Sequence, residues 1–101
     1  MDRLEKLATI AKALSDINRL KVVAFIDRNK EVCVCEVSDT LGFSQPLTSK
    51  YLKQLKEAGI LRSKKMGKWS IFSLADNQII QPFIEELREI ELPQIKKCSR
   101  C

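Results

Sequence analysis

Four cysteines and a complete absence of histidine define the metal chemistry that this sequence offers. Cys33 and Cys35 are separated by one residue, and Cys98 and Cys101 form a C-x-x-C pair among three basic residues that favour thiolates. Thiolate-only sites suit soft ions, and the lack of histidine excludes histidine-based zinc, nickel or cobalt sites and histidine-dependent catalysis. The pattern predicts that a soft metal or metalloid ion binds Cys33, Cys35, Cys98 and Cys101.

The C-x-C spacing restricts the backbone around Cys33 and Cys35. In a regular α-helix, side chains two positions apart point about 200° away from each other, so two thiolates cannot share one ion. Both sulfurs can reach one ion if the chain is extended at a strand-to-helix junction, or if the first helical turn unwinds. Ion binding is then expected to distort the first turn of the helix that follows.

The length, the hydropathy and the first residues of the chain indicate in which cellular compartment the protein is expected. The chain has 101 residues, which corresponds to one domain, and its balance of 45% apolar and 31% charged residues is typical of soluble proteins. No run is long enough to span a bilayer, and residues 1–7 lack the apolar segment of a signal peptide. We therefore expect a cytoplasmic protein without membrane contacts, in which the cysteines are reduced.

Positive charge is concentrated in one stretch, residues 50–68. This stretch carries a net of six positive charges, whereas the rest of the chain carries one net negative charge. A basic cluster of this density is typical of proteins that contact nucleic acid phosphates. It predicts double-stranded DNA as the partner, the alternative being a solvated lysine-rich face.

Hydrophobic periodicity predicts the elements that would position these groups. Helical spacing and capping residues indicate five helices, and two alternating runs around Lys65-Met66-Gly67 indicate a β-hairpin. The helices are expected at about residues 3–14, 17–26, 35–41, 45–57 and 79–90, and the strands at 31–34, 60–64 and 68–74. This order, with a tight turn at 42–44, predicts a mainly α winged helix-turn-helix domain with a small β-hairpin.

The helix at 45–57 is the candidate recognition helix, because its amino-terminal residues would contact base edges in the major groove. Gln45 can pair with adenine, and the hairpin lysines would contact phosphates. The predicted DNA contacts are Ser44, Gln45, Leu47, Thr48, Ser49, Lys50, Tyr51, Lys64, Lys65 and Lys68. The alternative for Ser44 and Gln45 is that they only begin the helix.

The carboxyl-terminal part is expected to separate into a helix and a tail. Pro82 is expected to delay or kink the last helix, and Pro93 to end it. We predict a DNA-binding and dimerisation domain at residues 1–93, followed by a mobile basic tail at 94–101 that carries Cys98 and Cys101. The apolar stripes of the first and last helices predict a homodimer interface, although packing within one subunit would also use them.

Four segments together resemble the ArsR/SmtB family of metal-responsive repressors. Glu31-Val32-Cys33-Val34-Cys35-Glu36-Val37 resembles the family's metal-binding motif E-L-C-V-C-D-L, and residues 44–61 are similar to its recognition helix. Residues 12–20 look like the start of its second helix, and Gly67-Lys68-Trp69 looks like its wing. Thr48 and Tyr51 depart from the family pattern, which often has an aliphatic residue and a histidine there.

The resemblance spans about residues 10–75 and implies a homodimeric repressor. Its first and last helices would form the dimer interface, and metal binding would lower its affinity for operator DNA. Some cadmium- and lead-sensing members carry cysteines on an amino-terminal extension that this sequence does not have. The resemblance therefore favours an arsenic-responsive repressor.

The number of thiolates also bears on the ion that is sensed. Arsenite and antimonite form pyramidal complexes with three thiolates, which Cys33, Cys35 and one tail cysteine from either subunit would supply. Four thiolates would instead suit zinc or cadmium. We expect arsenite or antimonite as the inducer, with no organic cofactor. A repressor responsive to cadmium, lead or zinc, and a thiol-redox or persulfide sensor on the same fold, stay open as alternatives.

Two further function classes fit the sequence less well. A thiol oxidoreductase would normally carry its C-x-x-C at the start of a helix after a strand, whereas Cys98 and Cys101 lie on a terminal tail. A winged helix that binds only proteins would not need the basic hairpin. We therefore predict that the chain is not an enzyme.

Overall fold

Five α-helices and three β-strands make up residues 2–96, the part of the chain that the computed structural model describes. In chain order they are α1 (Asp2–Ala13), α2 (Ile17–Asn29), β1 (Val32–Cys33), α3 (Val34–Leu41), α4 (Gln45–Glu57), β2 (Leu61–Met66), β3 (Trp69–Leu74) and α5 (Gln81–Leu87). This order confirms the predicted winged helix-turn-helix, with α3 and α4 as the helix pair and β2–β3 as the wing. None of the described helices has the length and apolar character needed to cross a bilayer.

α2 is the central helix of the domain. All residues from 22 to 26 are buried, so this part of the helix is covered on every side. Asp16 begins the helix, since its side chain accepts a hydrogen bond from the Arg19 N–H at 2.9 Å. The core around α2 includes side chains from α3, α4, the sheet and the carboxyl-terminal helices: Val37, Leu52, Leu55, Ile60, Leu61, Ile80 and Ile84.

The turn between α3 and α4 is closed by local hydrogen bonds. Gly42 has a left-handed φ of 78°, and its N–H and that of Phe43 both donate to the Ser38 carbonyl, at 2.9 and 3.1 Å. Ser44 Oγ accepts a hydrogen bond from the Leu47 N–H at 3.2 Å and begins α4. The glycine therefore ends α3 and the serine begins α4.

β3 is the central strand of a three-stranded antiparallel sheet in the order β1-β3-β2. β2 and β3 form the wing hairpin, in which Met66 pairs with Trp69. On the other edge of β3, β1 places Cys33 opposite Ile71, and Ile71 is also opposite Lys64 on β2. The sequence predicted a short strand before α3, and the structure adds its pairing with the wing.

The last helix is shorter than predicted. After one turn of 3₁₀ helix, Gln78–Ile80, α5 runs only to Leu87 and does not continue to Pro93. Contacts with α2 hold the chain where the helix stops. Arg88 forms an ion pair with Asp27 at 3.2 Å, and Arg28 Nη2 donates to the carbonyl of Ile90 at 2.6 Å.

Residues 91–96 form a strap that returns from the end of α5 to α3. Leu92 and Ile95 pack against the core, and the Lys96 N–H donates to Thr40 Oγ1 on α3 at 2.7 Å. Residues 94–96, which the sequence assigned to a mobile tail, therefore contact the domain in this structure. The apolar residues spaced three apart explain why this stretch packs on the domain.

α1 is largely uncovered in the subunit. Of its 12 residues only Ile10 and Ala13 are buried, whereas Leu4 and Leu7 are exposed. The exposed apolar side chains elsewhere include Phe83 on α5. Because an isolated helix of this length is marginal in water, α1 needs a further packing surface to be stable.

Candidate metal centre and DNA-binding surface

The cysteine pair, Cys33 and Cys35, lies at the junction of β1 and α3. Cys33 ends β1 and is the N-cap of α3, with an extended φ of −107° and ψ of 170°, whereas Cys35 is in the first turn of the helix. The two sulfur atoms are 3.3 Å apart. In a continuous helix the two side chains would point in opposite directions. The extended backbone of Cys33 avoids this, so both sulfurs can contact one ion.

Glu36 stabilises the extended conformation of Cys33. Its carboxylate accepts a hydrogen bond from the Cys33 N–H at 3.0 Å, and Glu36 is completely buried. A buried N–H without an acceptor costs about 1–3 kcal/mol, so this contact favours the junction as it stands. The sequence interpretation missed this role, although the three-residue spacing between Cys33 and Glu36 is that of a capping box.

The two sulfurs differ in exposure and oxidation state. Cys33 is 1% exposed and is a free thiol. Cys35 is half-buried and is disulfide-bonded in this structure. Both can act as thiolate ligands only in the reduced protein, and Cys35 is then the more accessible of the two.

Within residues 2–96 the cysteine pair is a two-sulfur donor set. The described residues contain no group of three or more cysteine, histidine, aspartate or glutamate side chains that could hold a metal ion. One turn beyond Cys35, α3 carries Ser38, whose hydroxyl donates to the Cys35 carbonyl at 3.2 Å. The other two predicted ligands, Cys98 and Cys101, lie outside the described residues.

The sulfur separation bears on the coordination geometry. Two thiolates bound at about 2.3 Å to a tetrahedral zinc ion lie roughly 3.8 Å apart. The sulfurs of Cys33 and Cys35 are 3.3 Å apart, which corresponds to a narrower angle at a shared ion. The pair therefore fits a soft ion by donor type.

The amino-terminal turns of α4 present a polar, exposed surface. Ser44, Gln45, Ser49 and Lys50 are all exposed. This is the part of the recognition helix that enters the major groove in a helix-turn-helix. These four residues stay predicted DNA contacts.

Three other residues of α4 that were predicted to contact DNA lie on the side of the helix that faces the domain core. Thr48 is fully buried and its hydroxyl donates to the Ser44 carbonyl at 2.9 Å, and Tyr51 is only 8% exposed. Leu47 is half-buried and packs against the core. The prediction that Thr48 and Tyr51 contact DNA is therefore wrong for this conformation, because both lie on the inward stripe of the helix with Leu52.

Tyr51 helps to hold the recognition helix on α2. Its hydroxyl accepts a hydrogen bond from Asn18 Nδ2 at 3.0 Å, and its ring packs edge-on against Phe43 with centroids 5.6 Å apart. One residue further along α2, Arg19 Nη1 donates to Gln54 Oε1 at 3.0 Å. These contacts set the angle of α4 relative to the core.

The wing lysines Lys64, Lys65 and Lys68 are all exposed. Lys64 Nζ forms an ion pair with Glu31 at 2.9 Å, and Lys68 Nζ lies 5.4 Å from the Trp69 ring centroid. Exposed pairs of this kind are weak, so the lysines are available to phosphates. The wing therefore presents positive charge in the region where the sequence predicted it.

The cysteine pair is connected to both the wing and the recognition helix, the two parts of a winged helix-turn-helix that contact DNA. Cys33, Ile71 and Lys64 form one row across the sheet, from β1 through β3 to the wing strand β2. Cys35 belongs to α3, which connects to α4 through the turn at Gly42. A displacement at the junction would act on the wing and on the recognition helix together.

Comparison with known proteins identifies the family. A sequence profile described as bacterial regulatory protein, arsR family, matches residues 16–63, which include α2, the cysteine pair, α3 and α4. An uncharacterized HTH-type transcriptional regulator of Methanocaldococcus jannaschii is 36% identical over 89 residues, covering 86% of this chain and all of that protein. The chain belongs to the ArsR family of DNA-binding transcriptional repressors. Such regulators are not enzymes, as the sequence predicted.

Other relatives of this ArsR-family repressor carry names that refer to two different metals. The arsenic resistance transcriptional regulator ArsR1 of Pseudomonas putida is 42% identical over 65 residues, covering 64% of this chain and 51% of that protein. A homologue of the cadmium resistance protein CadC from Staphylococcus aureus is 36% identical over 75 residues, covering 74% and 62%. The chain spans about half or somewhat more of these two relatives, and family membership alone leaves the ion open.

Solved structures agree with the fold of this ArsR-family chain. The transcriptional repressor BigR from Xylella fastidiosa is 27% identical, with a TM-score of 0.71, and the match covers 92% of this chain and 93% of that one. Mb0332 from Mycobacterium bovis, described as a homodimeric winged helix-turn-helix DNA-binding domain, has a TM-score of 0.76 at 21% identity, covering 84% and 78%. Both confirm the winged helix-turn-helix architecture.

Proposed function

We propose that this ArsR-family repressor leaves its operator DNA when arsenite or antimonite binds Cys33, Cys35 and a third thiolate from Cys98 or Cys101. The observation that carries the proposal is the 3.3 Å separation of the Cys33 and Cys35 sulfurs at the β1–α3 junction. The similarity to an arsenic resistance regulator supports the choice of inducer. The need for reduced thiols supports a cytoplasmic location.

The geometry of the cysteine pair suggests how binding would weaken the DNA complex. Cys33 is held in the β1–β3 ladder and by Glu36, and Cys35 is held in α3, so neither sulfur moves toward an ion independently. A shift of either residue displaces β1 or the first turn of α3. The wing and α4 would then lose the positions from which they contact adjacent grooves. A free-energy difference of about 1.4 kcal/mol changes an affinity tenfold. A coupling free energy of roughly 3 kcal/mol between ion binding and DNA binding is therefore sufficient to release the DNA.

The test is a titration of reduced protein on its own promoter DNA, followed by fluorescence anisotropy. Arsenite, cadmium, lead and zinc are added in parallel under anaerobic conditions. We expect release at about one equivalent of arsenite per subunit, with cadmium, lead and zinc needing higher concentrations. Release by cadmium, lead or zinc alone would contradict the assignment of arsenite, and a response to no ion would contradict metal sensing.

A thiol-redox sensor is the second candidate function, because the side chain of Cys35 is only half-buried and an accessible thiol can also be oxidised. In that case an oxidant or persulfide donor releases the DNA without any ion. The same anisotropy assay separates the two functions. Release of reduced protein by arsenite in the presence of excess reductant favours the metalloid sensor, since a reductant would reverse a disulfide or persulfide.

We predict that the wing lysines contribute salt-dependent DNA affinity. Replacing Lys65 and Lys68 with alanine should weaken operator binding and reduce the slope of log affinity against log salt by about 0.9 for each lost phosphate contact. The control replaces Lys6 and Lys12 on α1 with alanine, which removes the same charge far from the wing in sequence. An equal loss of slope in both variants would contradict the proposed docking.

Operator binding by this fold implies a homodimer, and we propose that α1 and α5 form its interface. Leu4 and Leu7 on α1 and Phe83 on α5 are exposed apolar side chains, and a groove lined by Ile17, Leu20, Lys21, Ala24, Leu87 and Ile90 lies between α2 and α5. A surface of this kind is typical of an interaction site. Its coverage by a second subunit would also stabilise α1.

Phe83→Glu is expected to disrupt this dimer. Burying an unpaired carboxylate in an apolar interface should raise the dimer dissociation constant by about 100-fold or more. Met66→Glu on the wing is the matched control, because the two side chains are 47% and 48% exposed. Sedimentation velocity should show monomers only for the Phe83 variant, and dimers in both variants would place the interface elsewhere.

A further inference from the structure

We infer that Arg19 is a positioning residue that links the dimer helix α1 to the recognition helix α4 and so sets the operator half-site spacing that the dimer accepts. The inference rests on the operator binding and the α1–α5 interface that we propose, and it involves no ion. Arg19 belongs neither to the cysteine pair nor to the predicted DNA contacts. Its side chain connects three helices.

The guanidinium of Arg19 caps the carboxyl-terminal end of α1. Its Nε donates to the Ala13 carbonyl at 2.7 Å, and its Nη2 donates to the Lys12 carbonyl at 3.1 Å. Carbonyls in the last turn of a helix have no partner within that helix, and the helix dipole also favours a positive charge there. Because α1 ends at Ala13, these two bonds hold the last turn of α1 on the start of α2.

The same guanidinium also contacts α4. Its Nη1 donates to Gln54 Oε1 at 3.0 Å, and both residues are half-buried. A guanidinium is planar and its N–H groups have fixed directions, so the bonds to α1 and the bond to α4 constrain each other. We call these three hydrogen bonds the Arg19 link. The link fixes the end of α1 relative to α4 through one rigid group.

The Arg19 link lies beside an open cleft between α1 and the carboxyl-terminal end of α4. Thr9 and Lys12 line the cleft on the side of α1, and Glu57 and Ala58 line it on the side of α4. The two helices are therefore not closely packed on this side, and the guanidinium of Arg19 spans the gap. Loss of the link should let α1 tilt relative to α4 while the core around α2 stays folded.

In a two-fold dimer, the geometry between α1 and α4 decides where both recognition helices lie. If α1 forms the interface, each α4 is held at a set position from the dimer axis, and the symmetry applies any tilt to both subunits. The recognition helices of such dimers enter major grooves about 34–36 Å apart. One inserted base pair moves a half-site by about 3.4 Å and rotates it by about 35°. A rigid link should reject that insertion, and a loose link should tolerate it.

The test measures the affinity of the dimer for three DNA duplexes. They are the natural operator and the same operator with one base pair inserted or removed at its centre. Wild-type protein and Arg19→Lys are titrated by fluorescence anisotropy in the reduced state without added ions. Lysine keeps the positive charge but does not reproduce the three fixed donor directions. We expect the preference for the natural spacing to fall by about tenfold in Arg19→Lys, the scale of one lost hydrogen bond to a charged group. Equal binding of the three duplexes by the wild-type protein would overturn the inference.

Gln54→Met tests the end of the link on α4. Methionine has nearly the length of glutamine but lacks the acceptor, so we expect the same loss of spacing preference. The Arg19→Lys/Gln54→Met double variant should show no further loss, because both changes break one contact. Ser15→Ala is the matched control, since the Ser15 hydroxyl donates to the same Lys12 carbonyl at 2.7 Å without being part of the link. A loss of preference in Ser15→Ala equal to that in Arg19→Lys, or additive losses in the double variant, would contradict the inference.

A positioning role and a merely structural role give different results. If Arg19 only stabilised the fold, Arg19→Lys would weaken binding to all three duplexes by the same factor, and the unchanged ratio would reject the inference. Sedimentation velocity should show dimers for Arg19→Lys, whereas monomers would show that Arg19 supports the interface itself and would also reject it. Because no ion is added, failure of arsenite to release DNA would reject the proposed function and leave the spacing preference as a separate test of Arg19.

Discussion

Replacing Cys35 with serine is expected to abolish arsenite-dependent release while operator binding without arsenite persists. Loss of one thiolate from a three-thiolate site removes a chelating contact, and a tethered contact of this kind is worth about 10²- to 10⁴-fold in affinity. A serine hydroxyl does not replace it, because soft ions prefer sulfur. Cys35 is half-buried and its backbone stays in the first turn of α3, so the fold should tolerate the change. Arsenite titration of the operator complex measures the effect.

Ser38→Ala is the matched control for Cys35→Ser. Ser38 lies one turn further along α3 and donates to the Cys35 carbonyl, so its removal perturbs the same turn without removing sulfur. We expect nearly wild-type release from this variant. Cys33→Ser should lose the response as Cys35→Ser does, with a greater cost in stability, because Cys33 is buried. Stoichiometric release from the Cys35→Ser protein would contradict a role for that sulfur.

Removing the Glu36 side chain is expected to have the largest effect on stability among the residues around the site. Glu36→Ala leaves the buried Cys33 N–H without the acceptor that now lies 3.0 Å away, which costs about 1–3 kcal/mol, and adds a cavity. For a domain of this size each kcal/mol lowers the melting temperature by roughly 4–8 °C. Thermal unfolding at a fixed protein concentration measures this, since dimer stability depends on concentration.

Glu36→Gln tests whether the N-cap hydrogen bond to the Cys33 N–H accounts for the contribution of Glu36 to stability. Glutamine keeps an oxygen that can accept from the Cys33 N–H, so most of the stability should return. The sulfur atoms of the cysteine pair are unchanged in this variant, so arsenite-dependent release should persist. A glutamine variant as unstable as the alanine variant would show that the N-cap hydrogen bond is not what Glu36 contributes.

The start and end of most helices could be predicted because their signals are local. Asp16 and Ser44 accept the hydrogen bonds expected of N-caps, and Gly42 adopts the left-handed conformation that ends α3. The amino-terminal end of the recognition helix and the basic wing were found for the same reason. These features depend on residues within four positions of each other.

The features that could not be predicted depend on contacts between distant parts of the chain. α5 stops early where Arg88 meets Asp27, and the strap lies on the domain because Lys96 finds Thr40. Tyr51 is buried because Asn18, on another helix, donates to its hydroxyl. Sequence spacing does not show such pairings, so Tyr51 was mistaken for a DNA contact.

The sequence predicted the strand and the helix that carry the cysteine pair, but not how they connect to the rest of the domain. The C-x-C spacing demanded a departure from regular helix, and the extended backbone of Cys33 provides it. The pairing of Cys33 with Ile71 was not visible in the sequence, because a two-residue strand carries no pattern that selects its partner. That pairing is what connects the cysteine pair to the wing.

The central claim is that the cysteine pair converts the binding of a thiophilic ion into release of DNA. The most direct test compares the wild-type protein with Cys33→Ser/Cys35→Ser, both reduced and bound to the same fluorescent operator, as arsenite is added. We expect wild-type anisotropy to fall to that of free DNA near one equivalent per subunit, while the double variant stays bound. Release of the double variant at the same arsenite concentration would contradict it.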